Sequence, residues 1–285
     1  MKLWIIGRRG MLSQALQRAC NEEGIDFLVT SRKEVDVTDA EALKNQFDTL
    51  AITHVVNCSG YTAVDRAEDE QEKAEKLNVH AVENLGQLAK ENGVKLIHFS
   101  TDYVFDGKDC APYSEEANAE PLSTYGQTKR RGEEKLMTLN PEACIIRSSW
   151  VFGFEGNHFV QTMVHLMKQH ETLRVVSDQK GRPTFCEDLA RAALDLLDHQ
   201  GIYHFANSGE TTWLEFAEEI LKHLQEKSEA VKCQKINPIS SEEYAAPAKR
   251  PSFSVLKTDK YEKAAEKTPR HWEECLKEYF EVVGC

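Results

Sequence analysis

Near its amino terminus the chain reads Leu3-Trp4-Ile5-Ile6-Gly7-Arg8-Arg9-Gly10-Met11-Leu12-Ser13, an apolar run that passes directly into a turn with two glycines. The apolar run predicts a first β-strand, and Leu12–Ala19 has the spacing of an amphipathic helix. Glycine lets the backbone turn sharply and approach a pyrophosphate, whose negative charge the helix N-terminus stabilises. The turn therefore predicts a dinucleotide site, with Ser13 standing where a third glycine is usual.

Strand and helix patterns alternate along the first half of the chain. The strand-like runs are Phe27–Thr30, His54–Cys58, Lys95–Ser100 and Cys144–Ser148, and the helical stretches are Ala40–Thr49, Glu68–Asn92 and Thr124–Leu139. Strands that alternate with crossover helices form a parallel sheet with helices on both faces. The sequence therefore predicts an α/β protein with a Rossmann-type, doubly wound parallel sheet.

The regular alternation of strand and helix patterns changes after about residue 150. Helices are predicted at Phe159–Gln169, Asp188–Leu197 and Thr212–Gln225, strands at Leu173–Val176 and Gly201–Ala206, and an amphipathic helix at the end of the chain. Asn237–Arg250 is rich in Pro, Ser and Ala, which predicts a loop. We expect a dinucleotide-binding domain from 1–150 with part of about 184–206, and a smaller, partly interleaved C-terminal substrate domain from 151–183 and 207–285.

Composition excludes several classes of function. The 285 residues include 35 Lys and Arg against 47 Asp and Glu, a net charge of −12, which argues against nucleic acid as a partner. No apolar run reaches the roughly 18–20 residues of a membrane span, so no membrane partner is expected. The eight cysteines are scattered and form no CxxC pair, which is typical of reduced thiols and predicts a cytoplasmic location.

The end of the second predicted strand bears on the choice of cofactor. An acidic residue there would bind the ribose diol of NAD, whereas the chain has Ser31 and Arg32, which suit a 2′-phosphate. Arg8 or Arg9 could join them. The sequence favours NADPH, with NADH as the other cofactor that the turn could hold; a solvated basic turn is the alternative interpretation. Asp36-Val37 is placed where a carboxylate could meet the adenine amino group.

Tyr125 and Lys129 stand four residues apart in a predicted helix and so share one face. A lysine ammonium there would stabilise tyrosinate and lower the phenol pKa, so that the phenol could protonate a carbonyl that receives hydride. The lysine could also bind ribose hydroxyls of the nicotinamide half. A strand ends at Ser100-Thr101, 24 residues before Tyr125, and ligands bind at the carboxyl ends of such strands. Thr101, Tyr125 and Lys129 are the predicted catalytic residues.

Several longer motifs make a family resemblance specific. They are Asn57-Cys58-Ser59-Gly60-Tyr61-Thr62-Ala63-Val64-Asp65, Ser100-Thr101-Asp102-Tyr103-Val104-Phe105-Asp106-Gly107, Arg147-Ser148-Ser149-Trp150-Val151-Phe152-Gly153, Gly181-Arg182-Pro183-Thr184, Asn207-Ser208-Gly209 and Pro247-Ala248-Lys249-Arg250-Pro251. With the glycine turn and the Tyr–Lys pair, they show that the chain resembles the extended short-chain dehydrogenase/reductases. Within these it is similar, nearly end to end, to the dTDP-4-dehydrorhamnose reductase family.

The resemblance implies a sugar-nucleotide substrate held between two domains and hydride transfer from NADPH to C4 of dTDP-4-dehydro-L-rhamnose. Thr101, Tyr125 and Lys129 match the family's catalytic positions. It implies cofactor contacts at Gly7, Arg8, Gly10, Met11, Leu12, Ser31, Arg32, Asp36, Val37, Cys58, Ser59, Gly60, Tyr125 and Lys129. Substrate contacts are implied at Thr62, Val64, Thr101, Trp150 and Arg250, with Trp150 stacking on a sugar face and Arg250 pairing with the diphosphate.

Some positions depart from the family pattern, and two other functions stay open. Arg8, Arg9 and Met11 replace the usual residues of the glycine turn, and Cys58-Ser59-Gly60 replaces an alanine run. Some members form dimers through Mg²⁺ held partly by a glutamate of the first helix; this chain has Ala15 there, so no metal site is predicted, although a homodimer stays open. One alternative is another sugar-nucleotide reductase or an epimerase of the same fold, and the other is a non-catalytic, dinucleotide-binding regulatory subunit. A dehydratase would carry Asp-Glu after Thr101, where this chain has Asp102-Tyr103.

Overall fold

A computed structural model describes residues 1–227 and 231–283 of the chain. Its strands are β1 (Lys2–Ile6), β2 (Asp26–Thr30), β3 (His54–Asn57), β4 (Lys95–Thr101), β5 (Cys144–Ser148), β6 (Val151–Phe152), β7 (Thr172–Val176), β8 (Lys180–Gly181), β9 (Thr184–Phe185), β10 (Gly201–His204), β11 (Thr211–Thr212) and β12 (Lys235–Ile239). Its helices are α1 (Met11–Glu22), α2 (Ala40–Thr49), α3 (Gln71–Glu75), α4 (Ala81–Glu91), α5 (Thr124–Leu139), α6 (Phe159–Gln169), α7 (Cys186–Asp195), α8 (Trp213–Glu226), α9 (Ser241–Tyr244), α10 (Asp259–Ala265) and α11 (Trp272–Val283).

The main sheet has six parallel strands in the order β10-β5-β4-β3-β1-β2, counted within the described residues. Successive side chains of β1 alternate between its two faces, because side chains of a strand point to opposite sides. Leu3 and Ile5 pack with α1 and α7, whereas Trp4 and Ile6 pack with α2 and α4. The predicted α/β class with a doubly wound parallel sheet is confirmed.

The strand order reverses direction at β1, which lies between β2 and β3. A crevice forms at such a switch point because the connections on its two sides leave in opposite directions. The carboxyl ends of β1, β3, β4 and β5 all face this crevice. Gly7, Cys58, Thr101 and Ser149 follow or end these strands, so topology brings four separate sequence motifs to one edge of the sheet.

A third apolar core lies apart from the two faces of the sheet. It is built by α6, α8, α11 and the short strands β7 and β9, with Phe152, Phe185, Phe216 and Phe280 fully buried in it. In contrast, α7 packs against α1 and β10 joins the main sheet. The later part of the chain therefore divides its elements between the sheet and this separate core.

Two predictions of secondary structure are wrong in detail. Asn237–Arg250 is not all loop, because β12 pairs with β7 and Ser240 begins α9 with a reciprocal capping box to Glu243. Pro238 fits in β12 because a strand of a two-stranded sheet has one unpaired edge. The single helix predicted over Glu68–Asn92 is α3 and α4 joined by a π-helical turn at Lys76–His80.

The described residues include no helix long and apolar enough to cross a membrane. Seven cysteines are free thiols, and Cys285 lies outside the described residues. Within residues 1–227 and 231–283, no group of three or more His, Cys, Asp or Glu side chains is placed to hold a metal ion.

Candidate active site

The glycine turn after β1 has the backbone that anion binding needs. Gly7 has φ +107°, in the left-handed region that favours glycine, and a Cβ there would lie 3.3 Å from the carbonyl carbon and oxygen of Cys58. Gly10 precedes α1 and makes no side-chain cap, so the first amides of α1 stay available to a ligand. The first turn of α1 carries no acidic residue. Ser13 is fully buried, which shows that a small serine is accommodated at the third position.

Two cavities meet at this turn. The turn cavity, of about 710 Å³, surrounds the turn and the end of β2, and ten predicted cofactor residues line it: Gly7, Arg8, Gly10, Ser31, Arg32, Asp36, Val37, Cys58, Ser59 and Gly60. The strand-end cavity, of about 500 Å³, is lined by the predicted residues Gly10, Met11, Leu12, Cys58, Ser59, Gly60, Thr62, Val64, Thr101, Tyr125, Lys129 and Trp150. Because Gly10 and Cys58–Gly60 line both, the two cavities form one continuous groove. The residues present fit an extended dinucleotide.

The three predicted catalytic residues come together in the strand-end cavity. Thr101 ends β4, where its Oγ1 donates to Asp102 Oδ1 at 3.1 Å and accepts from the Tyr103 amide at 3.2 Å. Tyr125 lies in the first turn of α5, which Ser123 caps by accepting from the Gly126 amide. The Thr101 and Tyr125 side chains both line this cavity. The end of β4 and the start of α5 therefore present two hydroxyls to the same space.

Burial is the main influence on the pKa of Tyr125. It raises the pKa to about 12, and the nearby Thr101 hydroxyl opposes this rise. Lys129 lies one helical turn along α5, where its Nζ donates to the Phe99 carbonyl oxygen at 2.6 Å and faces His98 Nε2 at 3.1 Å. Burial lowers the pKa of Lys129 itself to about 8, while the negative charge of Glu133 opposes that change.

His98 is a site residue that the sequence analysis missed. The Ser59 amide donates to Asn57 Oδ1 at 3.0 Å, so the Asn57 amide nitrogen faces His98 Nδ1, also at 3.0 Å. In this arrangement Nδ1 accepts, and Nε2 carries the proton and faces Lys129 Nζ. A protonated Lys129 would require the other tautomer, so the tautomer of His98 and the charge of Lys129 are coupled. His98 follows the β-strand pattern of Lys95–Ser100, which offered no signal of this role.

Asn78 is a second residue that the sequence did not reveal. It lies in the π-helical turn between α3 and α4 and is fully buried. Its Oδ1 accepts from the Tyr61 amide at 2.8 Å, and its Nδ2 donates to the Tyr61 carbonyl and to Thr128 Oγ1, both at 3.1 Å. Asn78 thus ties the loop after β3 to the face of α5 next to Lys129.

Asp102 is also buried in this region. Burial raises its pKa to about 6, although hydrogen bonds from Ser254 and Thr101 oppose the rise. Its Oδ2 has no hydrogen-bond partner among the residues that the structure describes. Tyr103, the next residue, packs edge-on against Tyr125 with ring centroids 5.7 Å apart. An acidic group therefore lies next to the Thr101 hydroxyl, which donates to it.

The predicted substrate residues are placed unequally. Thr62, Val64 and Trp150 line the strand-end cavity. The indole of Trp150 stacks on Trp213, with ring centroids 3.6 Å apart, so Trp213 supports it from α8. Trp150 takes a positive φ of 48°, a conformation uncommon outside glycine and asparagine.

Arg250 is the one predicted site residue that lines neither cavity. Its guanidinium forms a two-point ion pair with Asp65, at 3.0 and 2.8 Å. Asp65 thus accepts from both terminal nitrogens of Arg250, and the pairing of Arg250 with a diphosphate stays a prediction. The pair joins the loop after α9 to the loop that carries Thr62 and Val64.

The residues predicted to bind a 2′-phosphate form hydrogen bonds with carboxylates of this chain. Arg8 Nη2 donates to Glu34 Oε1 at 2.8 Å, and Ser31 Oγ donates to Glu34 Oε2 at 2.7 Å. Arg32 Nε donates to Asp36 at 3.2 Å. Two carboxylates, Glu34 and Asp36, therefore lie beside the residues predicted to bind a 2′-phosphate, and that binding stays a prediction.

The family described as the RmlD substrate binding domain matches residues 1–285. The chain belongs to this family. This RmlD-family membership confirms the family resemblance that the sequence motifs indicate. A curated relative, the spore coat polysaccharide biosynthesis protein SpsK of Bacillus subtilis, is 37% identical over 281 residues, which cover 98% of this chain and 97% of SpsK.

Two solved structures of the same kind are close to this RmlD-family chain. A dTDP-4-dehydrorhamnose reductase from Clostridium acetobutylicum is 35% identical, with a TM-score of 0.94 and full coverage of both chains. A dTDP-4-dehydrorhamnose reductase from Bacillus anthracis, solved in complex with NADP, is 32% identical, with a TM-score of 0.93 and 99% coverage of both chains. The similarity extends over the whole chain, so it includes both cavities.

Proposed function

We propose that the protein reduces the C4 keto group of dTDP-4-dehydro-L-rhamnose to give dTDP-L-rhamnose, with NADPH as the reductant. The observation that carries this proposal is the meeting of Thr101, Tyr125 and Lys129 in a cavity that continues into the glycine-turn cavity. The dTDP-4-dehydrorhamnose reductases among the similar structures, one of them in complex with NADP, support the substrate and the cofactor.

The cofactor would lie along the groove formed by the two cavities. Its pyrophosphate would meet the amides that follow Gly10, and its adenosine would lie toward Ser31 and Asp36. The nicotinamide half would then reach Lys129 and Tyr125. When bound, the nicotinamide supplies a hydride to the carbonyl carbon of the substrate. Burial raises the pKa of the Cys58 thiol beside the groove, so this thiol remains protonated there.

Tyr125 would donate its phenolic proton to the carbonyl oxygen as negative charge develops on it. Its pKa of about 12 keeps the phenol protonated at neutral pH, which a proton donor requires. Thr101, which lines the same cavity as Tyr125, would hold the same oxygen. Lys129 would stabilise the phenolate formed in this step, and His98 would hold Lys129 at one side of the site. The sugar ring would lie against Thr62, Val64 and Trp150.

The proposal also covers the cellular location of the protein and its assembly. Seven free cysteines support a cytoplasmic location, since thiols persist in a reducing compartment. The family resemblance leaves a homodimer open, and the mass of the protein in solution would test it.

The direct test follows NADPH oxidation at 340 nm with dTDP-4-dehydro-L-rhamnose, and in parallel with UDP- and GDP-linked keto-sugars and with NADH. We expect turnover with the dTDP sugar. A Tyr125→Phe variant should lose about 10²- to 10⁴-fold in kcat, because it lacks the proton donor, while its affinity for NADPH changes little.

Tyr103→Phe is the matched control, since Tyr103 packs edge-on against Tyr125 and lines the same cavity. Its kcat should stay within about tenfold of the wild type, below the range expected for loss of a general acid. Full activity in Tyr125→Phe would show that the proton donor is misassigned. Absence of turnover with every sugar, in a protein that binds NADPH, would support the regulatory or epimerase function instead.

A further inference from the structure

The Glu34 carboxylate lies in a ring of hydrogen-bond donors at the end of β2. Its Oε2 accepts from the Ser31 amide and from Ser31 Oγ, both at 2.7 Å. Arg8 Nη2 donates to Oε1 at 2.8 Å and to Oε2 at 3.1 Å. The same Arg8 nitrogen donates to the Val29 carbonyl at 2.6 Å, which holds the guanidinium at the end of the strand. We call Arg8 and Ser31 together the anion cradle.

The anion cradle belongs to the cofactor groove. Arg8 and Ser31 line the turn cavity, as do Lys33 and Val35 on either side of Glu34. In a βαβ unit of this kind the ribose of adenosine lies at the end of the second strand. The donors that hold Glu34 are therefore the ones that a 2′-phosphate of NADPH would need.

Glu34 and a 2′-phosphate carry charge of the same sign. The hydrogen bonds from Ser31 and the charge of Arg8 lower the pKa of Glu34, so it is an anion at neutral pH. Two anions cannot share one guanidinium and one serine without repulsion. The Glu34 side chain is about half exposed (51%), so it has room to turn toward solvent.

We propose that Glu34 is a cofactor-specificity residue whose carboxylate occupies the anion cradle as an internal substitute for the 2′-phosphate. NADPH must displace Glu34 before its 2′-phosphate can reach Arg8 and Ser31. NADH carries no phosphate there, so Glu34 keeps its place when NADH binds. The protein therefore binds NADPH less tightly than its basic turn alone would allow. This inference rests on the nucleotide site of the proposed function.

The test measures the dissociation constants of NADPH and NADH for the whole protein by fluorescence titration, without sugar substrate. Glu34→Gln keeps the size of the side chain and removes its charge. We expect its dissociation constant for NADPH to fall about five- to tenfold, as removal of one screened charge predicts, and that for NADH to change less than twofold. Adding Arg8→Gln to this variant should abolish the gain, because the cradle then lacks its cation.

Asp48→Asn is the matched control. Asp48 is likewise a half-exposed carboxylate in an ion pair, with Lys44 on α2, and it lies outside the lining of both cavities. This variant changes net charge equally and should leave the ratio of the two dissociation constants unchanged. An unchanged ratio in Glu34→Gln would overturn the proposal. Weaker NADH binding with unchanged NADPH binding would also overturn it, since Glu34 would then be a ligand of the ribose diol.

The titration separates this inference from the proposed function. If the wild-type protein binds both nucleotides but reduces no keto-sugar, the proposed function fails while the ratio still tests Glu34. A second readout is the rise in melting temperature caused by each nucleotide at a fixed concentration, since a ligand that binds the folded protein more tightly stabilises it more. The rise caused by NADPH should be larger in Glu34→Gln than in the wild type, and an equal rise would contradict the proposal.

Discussion

Glu133→Gln would remove one charge from an ion pair in the interior of the protein. Glu133 on α5 and Arg147 on β5 have side chains that are 0% and 1% exposed, with Arg147 Nη2 2.7 Å from Glu133 Oε2 and Nε 2.9 Å from Oε1. Arg147 also lies 3.3 Å from His204 Nε2 and over the ring of Phe105, neither of which can neutralise it. The pair joins α5, which carries Tyr125, to the sheet.

The structure sets the size of the effect. Removing one partner of a buried pair leaves an uncompensated charge and costs about 3–5 kcal/mol. Since a protein of this kind is stable by about 5–15 kcal/mol, we expect Glu133→Gln to lose a large share of its free energy of unfolding. Burial raises the pKa of Glu133, but Arg147, Ser100 and Arg130 together outweigh burial, so the pKa is lowered. The loss is therefore present above the ordinary glutamate pKa and disappears as pH falls below it.

The assay is urea denaturation at pH 7.5, followed by the fluorescence of the four tryptophans. Glu134→Gln is the matched control, because Glu134 is the next residue of α5, is 55% exposed and pairs with Arg130. It should cost less than about 1 kcal/mol. Equal losses in the two variants would refute the reasoning. The double replacement of Glu133 by Leu and Arg147 by Met should recover most of the loss, since it leaves no unpaired charge.

Two further predictions concern the same region. Gly126→Ala would place a Cβ 2.2 Å from the Tyr103 carbonyl oxygen, so the start of α5 must move. We expect a kcat about 100-fold lower in the 340 nm assay, because Tyr125 would be displaced. A kcat lowered less than threefold would contradict this prediction. Burial raises the pKa of Asp102 to about 6, so the folded wild-type protein binds the Asp102 proton more tightly than the unfolded chain does. The wild type therefore loses stability as pH rises from about 4 through 6. Asp102→Asn should lack this loss, worth at most about 3 kcal/mol, and parallel melting-temperature profiles from pH 4 to pH 8 would contradict the prediction.

Local patterns made much of the fold predictable. The run from Leu3 to Ser13 places a strand, a glycine turn and a helix in a stretch where each residue acts on its near neighbours, and the structure has β1, the turn and α1 there. The helix from Thr124 to Leu139 was predicted with its observed bounds, because its spacing and its Ser123 cap are also local. The Asn237–Arg250 loop was mispredicted, since β12 exists only through its pairing with β7 more than sixty residues away.

The residues of the candidate site were likewise only partly predictable from the sequence. Glycines, the Tyr–Lys spacing and the strand-end Thr101 could be read from the sequence, because each motif carries its own geometry. The partners of those residues could not be read, because they come from distant parts of the chain. His98 beside Lys129, Asp65 beside Arg250 and Trp213 under Trp150 are separated by 31, 185 and about 60 positions, and only packing brings them together. Sequence patterns thus predicted which chemistry is present, and the tertiary structure decided which charges and rings that chemistry meets.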